Sequence, residues 1–157
     1  MKGKKALFLF LALALPVSIF IFLKFFGKNE FEVAPLYQDT APAVVADCGF
    51  TYNAGYTLPD TVMTQLTALK QNELYLIHFS PVSSRMKEEI KYSEVTFVNG
   101  GTLSEEDQFK KCVLVIPANE DIVIVDKQGR IRGYFDSSDR EDIDRLFLEL
   151  EIILKKY

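Results

Sequence analysis

A chain of 157 residues with a formal net charge of −4 has room for one compact domain and a short appendage. Its 18 basic residues are scattered or terminal and form no stripe interleaved with aromatics, which argues against a nucleic-acid partner. The two cysteines, Cys48 and Cys112, fit neither a CxxC motif nor a zinc-ligand spacing, and there is one histidine and no tryptophan.

Lys2, Lys4 and Lys5 precede an uncharged, almost wholly apolar run of 18 residues at positions 6–23, which Lys24, Phe25 and Phe26 follow. A membrane-spanning helix needs about 20 such residues, with a range of about 17–25. Residues 1–26 therefore read as an N-terminal transmembrane anchor, with Pro16 tolerable as a kink. A cleaved signal peptide would have a shorter apolar core and a small-residue cleavage site. Ala12-Leu13-Ala14 is a weak candidate for one, and the apolar run continues past it. No cysteine follows the run closely, so lipoprotein processing is not expected. Lysines ahead of the run place the N-terminus in the cytoplasm and the remainder on the periplasmic side of the cytoplasmic membrane. That compartment permits disulfides.

Residues 27–58 read as an extracytoplasmic leader and linker, with Phe31, Val33, Leu36 and Tyr37 spaced among prolines and small residues. Pro59-Asp60-Thr61 starts a helix to Lys70 that turns Val62, Leu66 and Leu69 inward. Residues 74–79 form the strongest strand, and residues 84–91 a short basic, amphipathic helix. A second strand at 94–98 is closed by Asn99-Gly100-Gly101. Ser104-Glu105-Glu106-Asp107 puts acids in the first turn of another helix, ending near Lys110-Lys111. The β-branched runs 113–116 and 122–126 read as strands. Lys127-Gln128-Gly129 is a turn, and residues 130–135 return as an alternating strand to complete a hairpin. Residues 139–156 form a helix presenting Ile143, Leu146, Phe147, Leu150, Ile153 and Leu154 on one face. Strands alternating with helices, closed by a hairpin and a helix, predict an α/β domain over 59–157. Its plan is thioredoxin-like, a central mixed sheet flanked by helices.

Two stretches carry a family resemblance. The sequence Ile124-Val125-Asp126-Lys127-Gln128-Gly129-Arg130-Ile131-Arg132-Gly133-Tyr134-Phe135-Asp136, with the acidic-apolar helix after it, is similar to the C-terminal part of Sco/SenC-type thioredoxin-like proteins. Phe26-Gly27-Lys28-Asn29 resembles the segment just past the anchor in their membrane-bound members. The resemblance implies a place in maturing the copper site of cytochrome c oxidase, where that family uses two cysteines of a CxxxC corner and a distal histidine. Here the corner is Ser80-Pro81-Val82-Ser83-Ser84. Pro81 keeps the family's proline, Ser80 and Ser84 stand at the cysteine places, and no histidine lies near Ala118 or Asn119, where the third ligand would fall. The family's chemistry is therefore not expected to carry over, and neither a metal nor another cofactor is expected.

Serine supplies neither a soft copper ligand nor a redox couple. Ser80 or Ser84 as a nucleophile would need an activating base. His78, two residues before Ser80 on the same strand face, is the one neighbour of that type, and nothing locates an acid or an oxyanion hole. The simpler reading of Ser84 is a helix N-cap, and of His78 a hydrogen-bonded strand end. Cys48 and Cys112 could form a disulfide, remain as two buried thiols, or leave Cys48 exposed and reactive. Tyr37, Phe50, Tyr52 and Tyr56 could make a partner-binding patch or simply pack the leader. Arg130, Arg132 and Asp136 read as the solvated face of the hairpin. The chain is thus expected to be a membrane-anchored, degenerate Sco-like protein, a non-catalytic binding or assembly module with an unidentified protein partner. The alternatives are a thiol-disulfide redox protein using Cys48 and Cys112, and a structural subunit of a membrane complex.

Overall fold

The computed structural model describes residues 2–26, 32–43, 48–49, 51–104 and 107–155. The chain divides into two units, Met1–Phe31 and Glu32–Tyr157.

The described residues of the first unit form one helix, α1 (Lys2–Phe26), with Lys24 in its last turn, where a cation complements the dipole. Ser18, the one hydroxyl in the apolar run, donates to the Leu15 carbonyl oxygen (2.8 Å) and so carries no unpaired donor. The described apolar side chains between Phe10 and Phe25 stand largely exposed, Phe20 at 70% and Phe25 at 73%. Among the described residues no helix is long and apolar enough to cross a membrane. The side chains of Ala6, Leu7, Phe8, Leu9 and Leu11, on which the expected span also relies, lie outside the described residues.

The second unit is built on a four-stranded sheet of order β2-β1-β3-β4. The elements, in chain order, are α2 (Asp60–Leu69), β1 (Leu74–His78), α3 (Ser84–Glu89), β2 (Val95–Asn99), α4 (Gly100–Leu103), a π-helical turn (Phe109–Val113), β3 (Ile122–Asp126), β4 (Ile131–Phe135) and α5 (Arg140–Leu154). β1 and β2 are parallel, as the intervening α3 crossover requires. β3 is antiparallel to both β1 and β4. This mixed α/β sheet with helices is compatible with a thioredoxin-like fold. β1 and β3 are the central strands and, apart from the half-buried His78, are apolar or buried throughout, as strands covered on both faces must be.

The period-2 alternation divides their side chains between two cores. Tyr75, Ile77, Val123 and Val125 join Val62 and Leu66 of α2 on one face. Leu74, Leu76, Ile122 and Ile124 meet Met86 of α3 and Ile143, Leu146 and Leu150 of α5 on the other. The spacing of those three α5 residues is the apolar stripe expected of the last helix. Asp139 caps it, its carboxylate accepting from the Glu141 amide (2.9 Å).

Three expectations are corrected. The first concerns residues 113–116, which do not make a strand, although the described residues 107–112 before them are helical as expected. A short α4 is followed by the π-helical turn, and Val115, at φ 53°, breaks any extended run there. Leu114, Val115 and Ile116 are nevertheless buried, so the β-branched run marks core rather than strand. The second concerns the domain boundary. The compact unit begins at Glu32, not Pro59. Leu36, Tyr37 and Tyr56 pack against the first core and Leu58 is part of it. The leader backbone is tied to the hairpin, the Leu36 amide donating to the Ile131 carbonyl (2.7 Å) and the Leu58 amide to the Gly129 carbonyl (2.8 Å).

The third correction concerns the hairpin. Ile124 pairs with Gly133 but Val125 with Ile131, so Arg132 is an extra residue, a β-bulge. The bulge resets the alternation, which is why Ile131 and Tyr134, three apart, reach the same core. Of the expected solvated residues Arg130, Arg132 and Asp136, Arg132 is instead buried, beside the buried Asp126. The two are 9% and 4% exposed. Asp126 accepts from the amides of Gln128 and Arg130 (both 3.0 Å), from Arg130 Nε (2.7 Å) and from Arg132 Nη1 (3.4 Å). Arg132 Nη2 donates to the Val33 carbonyl in the leader. Replacing Asp126 by alanine strands a buried guanidinium and opens the turn. We expect it to cost about 3–5 kcal/mol of unfolding free energy, measured by urea denaturation. A loss well under about 1 kcal/mol would show that the pair does not organise the hairpin.

Candidate functional site

The corner between β1 and α3 keeps the strand-to-helix geometry that the sequence suggests, and it is assembled from local rules. β1 stops at His78 because Pro81 cannot continue a ladder. The Phe79 amide donates to the Asp121 carbonyl (3.0 Å), holding the exit of the strand against the approach to β3. The Phe79 ring lies beneath the Lys110 ammonium, 5.3 Å from its centroid. It fills the space where a side chain on Gly100 would project, so only glycine fits there.

The N-cap of α3 is Ser83, not Ser84. Ser83 is extended and its hydroxyl accepts from the Met86 amide (3.2 Å). Ser84 is the first helical residue and is exposed. Arg85 then ties α3 to α5. It donates to Glu89 (2.8 Å) and to Asp144 (2.7 Å), and sits 5.4 Å from the centre of the Phe147 ring. The hydrogen bond to Glu89, then that to Asp144, holds the Arg85 guanidinium above its ordinary pKa.

His78 Nδ1 lies 2.8 Å from the carbonyl oxygen of Ser80. A carbonyl only accepts, so this nitrogen donates and is not a base for the Ser80 hydroxyl. The strand brings His78 and Ser80 together, but in a backbone-bracing contact rather than a nucleophile–base pair. Ala118 and Asn119 occupy an exposed turn in which the Glu120 amide donates to the Pro117 carbonyl (3.1 Å). Among the described residues no group of three or more His, Cys, Asp or Glu side chains could hold a metal ion.

The cysteines lie outside the corner and are joined to each other. A disulfide links Cys48 of the leader to Cys112 of the π-helical turn, with Cα atoms 5.5 Å apart across 64 residues of sequence. Tyrosines flank it. Tyr52 donates its hydroxyl to the Cys112 carbonyl (2.6 Å) and Tyr56 to the Val113 carbonyl (2.7 Å), and their rings are 5.3 Å apart. These carbonyls belong to a π-helical turn, where the regular α-helical pairing is displaced, and the hydroxyls satisfy them. Burial, then the neighbouring Tyr52, pushes the Tyr56 phenol up to about 12. Tyr52 and Tyr56 are thus spent inside the fold, and Tyr37 packs on the core. Phe50, expected beside them, lies outside the described residues.

Charged residues along β4 were not singled out from sequence as a group. Arg132, Arg145, Glu120 and Glu149 line one cavity of about 350 Å³. Burial raises the pKa of Glu120 and of Glu149, each more than the nearby Arg145 lowers it. No local motif signals this cavity, since its four charges come from a loop, a strand and a helix. Comparison of the chain with models of known protein families, with curated proteins and with solved structures returns no match.

The disulfide closes a loop long enough to contribute about 4 kcal/mol in the chain-entropy description. Urea denaturation with and without a dithiol reductant should therefore separate the two forms by about that amount. Coincident curves would show that the bond does not hold the leader in place.

Proposed function

We propose that this chain is a non-catalytic binding or assembly module, held at the outer face of the cytoplasmic membrane and built on a thioredoxin-like, Sco-related scaffold whose metal ligands are lost. One observation carries the reading: the β1–α3 corner keeps its strand, proline and capped helix, yet its Ser83 hydroxyl and His78 Nδ1 are committed to the fold. The Ser83 hydroxyl caps α3 and His78 braces the Ser80 carbonyl. Neither offers a soft thiolate ligand or an activated nucleophile. The Sco relation is supported by the sequence of the hairpin and last helix and by the position of the corner.

Membrane attachment is supported by the run at residues 6–23, by the lysines ahead of it, and by the exposure of the described apolar side chains of α1. An extracytoplasmic location agrees with a disulfide as a structural bond. A redox role for Cys48 and Cys112 has less support, because the bond is 64 residues in span and Cys112 is only 4% exposed.

Two measurements on the full-length protein in mild detergent test this reading. Titration with Cu(I) should give no tight stoichiometric complex, and affinity capture of the tagged protein should enrich subunits of a respiratory oxidase at an assembly stage. Tight one-to-one Cu(I) binding would overturn the non-metal reading. Constant stoichiometry with a finished membrane complex would point instead to a structural subunit.

A further inference from the structure

An open sheet edge presents a row of unpaired backbone groups, and natural folds blunt such edges with bulges, charges or a covering segment. The two edges of this sheet are treated differently. β4 is bulged at Arg132 and bonded to the leader, through Leu36 to the Ile131 carbonyl and through Arg132 to the Val33 carbonyl. β2, the other outer strand, reads Val95-Thr96-Phe97-Val98-Asn99, with no charge, no proline and an unbroken register against β1.

The hydrogen-bond phase of β2 follows from that register. In a parallel pair, alternate residues of each strand face the partner. The Leu74 amide donates to the Glu94 carbonyl (3.1 Å), and Leu74 stands level with Val95. Thr96 and Val98 therefore turn their amides and carbonyls toward β1, and Val95, Phe97 and Asn99 turn theirs away. The other side of β1 agrees. Glu73 and Phe79, of the opposite parity to Leu74, bond to Lys127 and Asp121 at the two ends of β3.

Two of the outward groups are already used. The Val95 amide donates to the Tyr92 carbonyl (3.1 Å), and the Asn99 carbonyl accepts from the Thr102 hydroxyl (2.7 Å). The Val95 carbonyl, the amide and carbonyl of Phe97 and the Asn99 amide have no partner among the described residues. Phe97 is only half-buried and Asn99 is exposed, so this stretch reaches the surface.

These four groups form a self-complementary set. A two-fold axis at Phe97 sets it against the Phe97 of a second copy as a hydrogen-bonded antiparallel pair, with two N–H···O bonds between them. The Asn99 amide of each copy then meets the Val95 carbonyl of the other. No unpaired outward group is left over. Phe97 lies opposite Phe97 and Thr96 opposite Val98, so no like charges are opposed.

We propose that β2 is a self-association edge, at which two copies pair antiparallel about Phe97 and join their four-stranded sheets into one. A foreign strand would meet the same groups. The symmetry of the four about Phe97 is what a second copy requires and a foreign strand does not. This inference goes beyond the assembly-module reading and does not depend on it.

The test is sedimentation velocity of the full-length protein in mild detergent, with hydrogen exchange of the Phe97 and Asn99 amides across a series of protein concentrations. The expected result is a dimer, with both amides gaining about tenfold protection or more as it forms. Phe97→Lys and Phe97→Glu each place like charges opposite one another. Each should weaken association about tenfold or more, and an equimolar mixture should restore the dimer as the mixed pair. Exchange of the β3 amides reports whether each variant is folded, and the wild-type series decides independently of both. A dimer that persists in both variants would place the contact elsewhere, α1 included, and overturn the proposal. So would a wild-type monomer whose two amides exchange freely at every concentration, or amides protected only when another polypeptide is bound.

Discussion

The buried contact between Asp126 and Arg132 is the constraint on which the second unit turns. Asp126 closes the β3–β4 turn through two backbone amides and one Arg130 nitrogen, and its remaining capacity meets Arg132. Arg132 can reach it because it is the extra residue of a bulge. The same guanidinium then takes the Val33 carbonyl of the leader. A buried pair gives little net stability over an apolar alternative, but leaving either partner alone is expensive. Its contribution is therefore to register. A slip of one residue in β4 would strand both charges and exchange the side chains of the two cores.

From that anchor the leader follows. Its backbone bonds at Leu36 and Leu58, the disulfide from Cys48 and the two tyrosine hydroxyls all fasten residues 32–58 to the hairpin or the π-helical turn. The strand–proline–helix corner is built separately, by the Ser83 cap, the His78 brace and the Phe79 packing. A fold that spends both cysteines, Tyr52 and Tyr56 on holding a leader, and Ser83 and His78 on local geometry, has the economy of a scaffold. That division of roles underlies the proposal of an assembly module rather than a catalyst.

Much of the architecture was legible because it rests on periodicity and local signals. The apolar run of β1, the hairpin turn at Lys127-Gln128-Gly129 and the stripe of α5 each follow from spacing alone. What was not legible depends on contacts distant in sequence. The 113–116 run has strand composition, but its burial comes from the first core and from a turn tethered by Cys48. Prolines and small residues made residues 32–58 resemble a linker, although Leu36 and Leu58 have their partners far along the chain, at Ile131 and Gly129 of the hairpin. The cap at Ser83 differs from the expected Ser84 by one residue, the usual margin at helix ends. Arg132 read as solvated because nothing in a local window marks a bulge, and with it the cavity beside β4 stayed hidden.

The central claim is that the leader is an integral part of the mixed α/β unit, locked to the hairpin through the Asp126–Arg132 pair. Native-state hydrogen exchange on the full-length protein tests it most directly. The Leu36 and Leu58 amides, which donate to Ile131 and Gly129, should open with the same free energy as the amides of β3. Exchange of both at loop-like rates while β3 stays protected would contradict the account.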